Sequence, residues 1–243
     1  MVSGALLRPQ EVIVALRHNT GTTWTVVQGV LAGCPTSTGA GTKPCTVTVA
    51  STTPGNLLIF LDAFEYGSLG ANTYSSSAPT GEGTWTHCTG CENYYSGAGT
   101  SWMATEAWYI LSATGGSTSL TFNLVNAPCA GCAGYQDAVV IEVHRATGTA
   151  VLDTQAIIAG VLSSTACNGP TLTLTGTNDY IVQWAAMGEV PSALASPFTA
   201  PSLLDASDVE GVFGGAINQT SGAAVLYSQS PAGSCTMAAL AFK

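Results

Sequence analysis

Asp137-Ala-Val-Val-Ile-Glu-Val-His-Arg145 is the stretch whose reading decides the fold. Val139, Ile141 and Val143 fall on one side of an extended chain, and Val140, Glu142 and His144 fall on the other. That is a period of two rather than 3.6, so the segment is a strand. Residues 117–124 repeat the pattern, with Leu120, Phe122 and Leu124 on one face and Ser119, Thr121 and Asn123 on the other. Strands of this kind bury one face and wet the other, as in an antiparallel sandwich. Asn56-Leu-Leu-Ile-Phe-Leu61 is apolar on both faces, which predicts a central strand or one covered by a loop.

Working outward, short β-rich runs recur between Gly, Pro, Asn and Ser clusters, and helical periodicity is nearly absent. Strands are expected at 11–17, 24–31, 45–50, 56–65, 84–88, 101–111, 117–124, 137–145, 171–176, 179–187, 223–230 and 234–243. A dozen short strands without helical crossovers predict an all-β, antiparallel jelly-roll sandwich. Residues 18–23 read as linker, so 1–22 is expected to be an N-terminal arm and 23–243 a single sandwich domain.

Composition narrows the function. The 243 residues include only 5 basic and 14 acidic side chains, a net charge of −9, and 46% are apolar. Ordinary soluble domains carry about 25% charged residues, so hydroxyls and glycine must cover this exterior. The negative balance disfavours nucleic acid, which needs clustered Lys and Arg. No apolar run approaches the roughly 18 residues of a membrane-spanning helix.

The eight cysteines at 34, 45, 88, 91, 129, 132, 167 and 235 point to an oxidised, exported protein. The expected pairs are Cys34–Cys45, Cys88–Cys91, Cys129–Cys132 and Cys167–Cys235, the last closing the longest loop. Zinc on the two CxxC knuckles is the alternative, although the spacing between them exceeds that of a zinc ribbon. No other metal and no cofactor is expected. The start, Met1-Val-Ser-Gly-Ala-Leu-Leu-Arg8, lacks a signal-peptide pattern, so the chain is expected to be a mature form or to be exported by another route.

Catalytic signatures (HExxH, GxSxG, P-loop, dinucleotide fingerprint) are missing, and no enzyme activity is expected. On 101–111, Trp102, Glu106 and Trp108 share a face, so two indoles flank a carboxylate. Such a platform suits a sugar ring, and hydrolysis would add a second carboxylate about 5–10 Å away, for which Asp62, Glu65 and Glu142 are available. The plainer reading makes both indoles core residues, with Glu106 near an edge or paired with a cation. Glu142 and His144 are read as two polar residues on a wet face, or as a small acid–base pair. His87 is expected to be solvated near a loop tip. Asn218-Gln-Thr220 is a sequon, a possible glycan site in an exported chain.

Charge placement carries the functional expectation. Residues 107–136 and 211–242 contain no Asp, Glu, Lys or Arg, and the only lysines are Lys43 and Lys243. Free monomers protect sheet edges with charge, especially Lys. These edges are therefore expected to be covered, stapled or paired with another copy. Val12, Val14 and Leu16 share one face of the arm strand and are the candidate subunit contact, added to a neighbour's sheet. Head-to-tail contacts of that kind build filaments.

Thr46-Val-Thr-Val49, Thr53-Pro-Gly-Asn-Leu-Leu-Ile-Phe60, Ala107-Trp-Tyr109 and Gly115-Gly-Ser-Thr-Ser-Leu-Thr-Phe122 together resemble exported bacterial jelly-roll surface domains. They are similar, more distantly, to lectin/glucanase-like sandwiches, whose ExDxxE strand motif is missing here. The resemblance implies a cell-surface or extracellular location. The expected role is a structural subunit of an extracellular assembly that polymerises with itself, with a carbohydrate-binding module as the alternative and a glycoside-active enzyme third.

Overall fold

The computed structural model describes residues 23–34, 37–38, 41–67, 75–96, 101–127, 133–188, 211–222 and 226–243. The strand expected at 11–17, with Val12, Val14 and Leu16, lies outside the described residues, as do Cys129 and Cys132. Every element described is a β-strand.

The central sheet runs β1 (Trp24–Gly33), β10 (Ala133–Arg145), β4 (Leu57–Gly67) and β8 (Ser101–Ile110), all antiparallel. Three short strands complete it. β2 (Ser37–Thr38) pairs with β10, while β6 (Thr86–His87) and β7 (Asn93–Ser96) pair with β8. A second sheet is formed by β3 (Gly41–Thr48), β9 (Ser119–Ala127) and β5 (Ser75–Ser76). The third has the order β11 (Leu152–Asn168), β14 (Leu226–Phe242), β12 (Asp179–Met187) and β13 (Gly211–Gln219).

The chain is all-β and antiparallel, as expected, and the central sheet is covered on both faces rather than wet on one. On one side of the central sheet, Leu57, Ile59, Leu61, Val139, Ile141 and Val143 pack against Val182, Trp184, Leu240 and Phe242 of the third sheet. On the other, Leu58, Phe60, Ala138 and Val140 pack against Cys45, Val47, Leu120 and Phe122 of the second, with the Phe60 and Phe122 rings 4.1 Å apart. Leu57–Leu61 opens β4, which lies between β10 and β8 with both faces buried, as its two-sided apolarity requires. The same layering overturns the wet face expected on 137–145. Val140 and Glu142 are buried there, and only His144 is exposed.

Four other strand expectations change. Residues 171–176 alternate but join a ladder at one bridge only, Leu172 with Gly222. Strands β2, β5, β7, β11 and β13 have no counterpart among the expected strands. Of 84–88, only Thr86–His87 pairs. Residues 226–230 and 234–242 of two expected runs belong to one strand, β14. In β13, Gly215 is required because a Cβ there would come within 2.5 Å of the buried Tyr180 hydroxyl.

Three of the expected cysteine pairs are present, namely Cys34–Cys45, Cys88–Cys91 and Cys167–Cys235. Because Cys88 and Cys91 are joined to each other, that knuckle offers no free thiolate.

Candidate functional site

Strand β8 carries the aromatic and acidic residues singled out above. Its neighbour β4 runs antiparallel in a register that sets Asp62 directly opposite Glu106 and Phe60 opposite Trp108. Directly opposed residues place their Cβ atoms about 4.5–5.5 Å apart. The second carboxylate sought for Glu106 is therefore Asp62. Both side chains are fully buried, so the pair is built into the sheet interior and does not present an oxygen to a surface ligand. The Asp62 main-chain oxygen accepts a 3.1 Å hydrogen bond from Trp184 Nε1, which ties this point of the central sheet to the third sheet. Glu106 thus sits in the covered interior rather than at an exposed edge.

Trp108 is half-buried and stacks on His87 at 4.4 Å between ring centroids and 28° between planes. His87 Nε2 is buried and lacks a hydrogen-bond partner. The expectation of a solvated loop histidine is corrected: Thr86 and His87 pair with Tyr109 and Trp108, which brings the imidazole onto the indole. Trp102 stands in β8 opposite Tyr66, and its side chain lies outside the described residues.

Glu142 and His144 do not form an acid–base pair. Glu142 Oε1 accepts from Thr53 N at 2.8 Å and Asn56 Nδ2 at 2.6 Å, and its Oε2 accepts from Gln28 Nε2 at 2.6 Å. Gln28 also holds the Ala50 amide and carbonyl, at 2.9 and 3.0 Å. His144 Nδ1 reaches Asn56 Oδ1 at 3.0 Å, so Asn56 separates the imidazole from the carboxylate. The arrangement fastens the 50–56 connection onto β1 and β10.

Two acidic clusters carried no sequence signal. Glu82 accepts from Thr52 Oγ1 (2.7 Å), Thr114 N (3.0 Å) and Gly115 N (3.1 Å). Burial opposes its ionisation, but hydrogen bonds from Thr114, Thr52, Ser117 and Gly115 outweigh it and bring the carboxyl down to about 2. Asp153 forms an ion pair with Lys243 Nζ at 2.9 Å and accepts from Thr175 N at 2.6 Å. Beside it lies Asp179, fully buried, pushed up to about 6 by burial, by its hydrogen-bonding contact with Asp153 and by that carboxylate's charge. Asp179 opens β12, and nothing in the local sequence points to a carboxylate neighbour on another strand.

Asn218 has a left-handed backbone (φ 53°), a conformation asparagine tolerates better than most residues. Its Oδ1 accepts from Thr23 N at 3.0 Å, which joins the end of β13 to the start of β1.

The large apolar side chains exposed among the described residues are Val27 (44%), Val151 (47%), Ile157 (42%) and Ile158 (37%). Val27 lies on β1, at one border of the central sheet, while Ile157 and Ile158 lie on β11, at one border of the third, with Val151 just before it. No protein-family model, curated protein or solved structure matches this chain.

Proposed function

We propose that this protein is an exported structural subunit that joins copies of itself through its sheet borders, by β-strand addition, into a filament. The observation that carries the reading is the placement of exposed apolar residues. Val27, Ile157 and Ile158 all fall on outermost strands, where a free monomer would put lysine or proline. The three disulfides fit an oxidising extracellular compartment. The architecture fits as well. Strands β1, β3, β4 and β5, and later β8, β9 and β10, alternate between the central and second sheets, with orders β1-β10-β4-β8 and β3-β9-β5. We read this alternation as a jelly roll, with the third sheet added to its outer face. In this reading Val12, Val14 and Leu16 of the arm supply the strand that completes a neighbour's sheet.

The test is a size measurement of the purified protein by light scattering and electron microscopy. Wild type is expected as polymers much larger than the 24.6 kDa chain. Deletion of residues 1–22, or Val27→Lys with Ile157→Lys, is expected to leave single folded subunits. A wild-type protein that runs as a clean monomer at all concentrations would remove the reading.

Trp108 and His87 favour a second reading, a carbohydrate-binding module, because a half-exposed stacked indole offers a face to a sugar ring. Trp108→Ala is then expected to abolish retention on insoluble polysaccharide without changing the fold. Retention equal to wild type would dismiss this reading.

A further inference from the structure

Cys235 of β14 stands in register with Val161 of β11 and Met187 of β12, so it belongs to the body of the third sheet. Cys167 lies six residues beyond Val161 on β11 and is paired with Tyr227 of β14. A straight strand at about 3.3 Å per residue would carry Cys167 about 20 Å past Val161. Instead the Cα atoms of Cys167 and Cys235 are 6.2 Å apart and their sulfurs are bonded. The two-stranded ribbon made by the end of β11 and the start of β14 must therefore double back over the outer face of the third sheet.

The bend coincides with breaks in the ladder. Register shifts fall between Ile158 and Val161, Val161 and Ser164, and Ser164 and Ala166, as bulges that bend a strand require. Each shift removes regular cross-strand hydrogen bonds from the ribbon. Beneath it the sheet's outer face is apolar, with Ile181, Ala185, Met187, Met237 and Ala239 buried in one cluster. A cavity of about 210 Å³ opens between Ala166 and Cys167 of the ribbon and Cys235 and Met237 of the sheet, so the disulfide lines its wall.

We propose that Cys167–Cys235 is a redox latch holding this ribbon as a strap over the third sheet, and that a dithiol reductant entering by the cavity releases it. One reductant thiolate attacks a sulfur of the bond to give a mixed disulfide, and the second thiolate then displaces the protein sulfur. The reductant leaves as a disulfide, and Cys167 and Cys235 become thiols that take up its two protons. With the latch open, the covalent tie between the ribbon and the body of the sheet is gone, and the strap lifts from the apolar face by bending at its bulges.

Hydrogen exchange read by mass spectrometry on the full chain tests this, comparing wild type with a Cys167→Ala/Cys235→Ala double variant. Strap peptides 161–168 and 226–234 are expected to exchange about 100-fold faster in the variant, with central-sheet peptides 57–64 and 138–143 unchanged. Strap exchange at the wild-type rate, or an equal rise across all peptides, would overturn the proposal. Should the variant fail to fold, wild type is reduced with dithiothreitol under native conditions, alkylated and mapped. Alkylation of Cys167 and Cys235 while the central sheet stays protected supports the latch. Reduction that accompanies loss of protection throughout the chain overturns it.

Discussion

Replacing Glu142 with alanine is expected to lower the free energy of unfolding by about 3–5 kcal/mol, because three N–H donors lose their acceptor at about 1–3 kcal/mol each, less where water reaches them. The carboxylate is fully buried and takes donors from Thr53, Asn56 and Gln28, with no cation among these three contacts. Its truncation leaves three N–H groups without acceptors, and the Gln28 contacts that hold Ala50 lose their anchor. Glu142→Gln keeps the volume, yet its new amide hydrogens face groups that are themselves donors, so about 1–3 kcal/mol is expected. Urea unfolding read at constant m-value measures both. A loss below about 1 kcal/mol for the alanine variant would mean that water replaces the carboxylate and that the network does not fasten the 50–56 connection.

The same residue shows what was legible in the sequence and what was not. Period-two alternation correctly identified β10 and assigned Val139, Ile141 and Val143 to a buried face. It could not show that the opposite face would be covered too, because alternation describes a strand and not the layer packed on it. Leu57–Leu61, apolar on both sides, carried the one local sign of a buried central sheet, and β4 is central. Strand β11 has no clear sequence signature because Asp153, Gly160 and the Ser163-Ser164 pair dilute its β propensity, and its pairing with β14 decides its conformation instead. Residues 171–176 alternate well yet lack a partner strand beyond Gly222. Local disulfides were readable from spacing. The opposition of Asp62 and Glu106 was not, since it follows from the register between β4 and β8.

The pair formed by Asp153 and Asp179 is expected to make the protein most stable in mildly acidic solution, with stability falling on both sides. Asp153 is also desolvated by burial, but hydrogen bonds from Thr175 and Lys243 prevail and hold its carboxyl far below the usual range. A depressed group contributes stability above its unfolded value, near 3.9, and that contribution is lost as the pH falls below it. Asp179 has the opposite sign. Burial and the Asp153 carboxylate raise it to about 6, against the pull of Lys243 and Arg145. The folded state therefore holds this proton more tightly than the unfolded chain does. That contribution is complete below about 4 and disappears as the pH climbs through about 6. Between these limits Asp179 keeps its proton while Asp153 is ionised. Above them, two charges face each other at a site where no donor among the described residues meets either oxygen of Asp179. Asp179→Asn supplies a permanent donor to Asp153, so it is expected to raise stability at pH 8 by about 1–2 kcal/mol, after allowance for screening. At pH 5 the gain is expected to be about half as large, and below about pH 4 it disappears. Thermal unfolding of both proteins from pH 4 to 9 tests this, and a wild-type stability that keeps rising from pH 5 to 8 would show that folding does not raise Asp179.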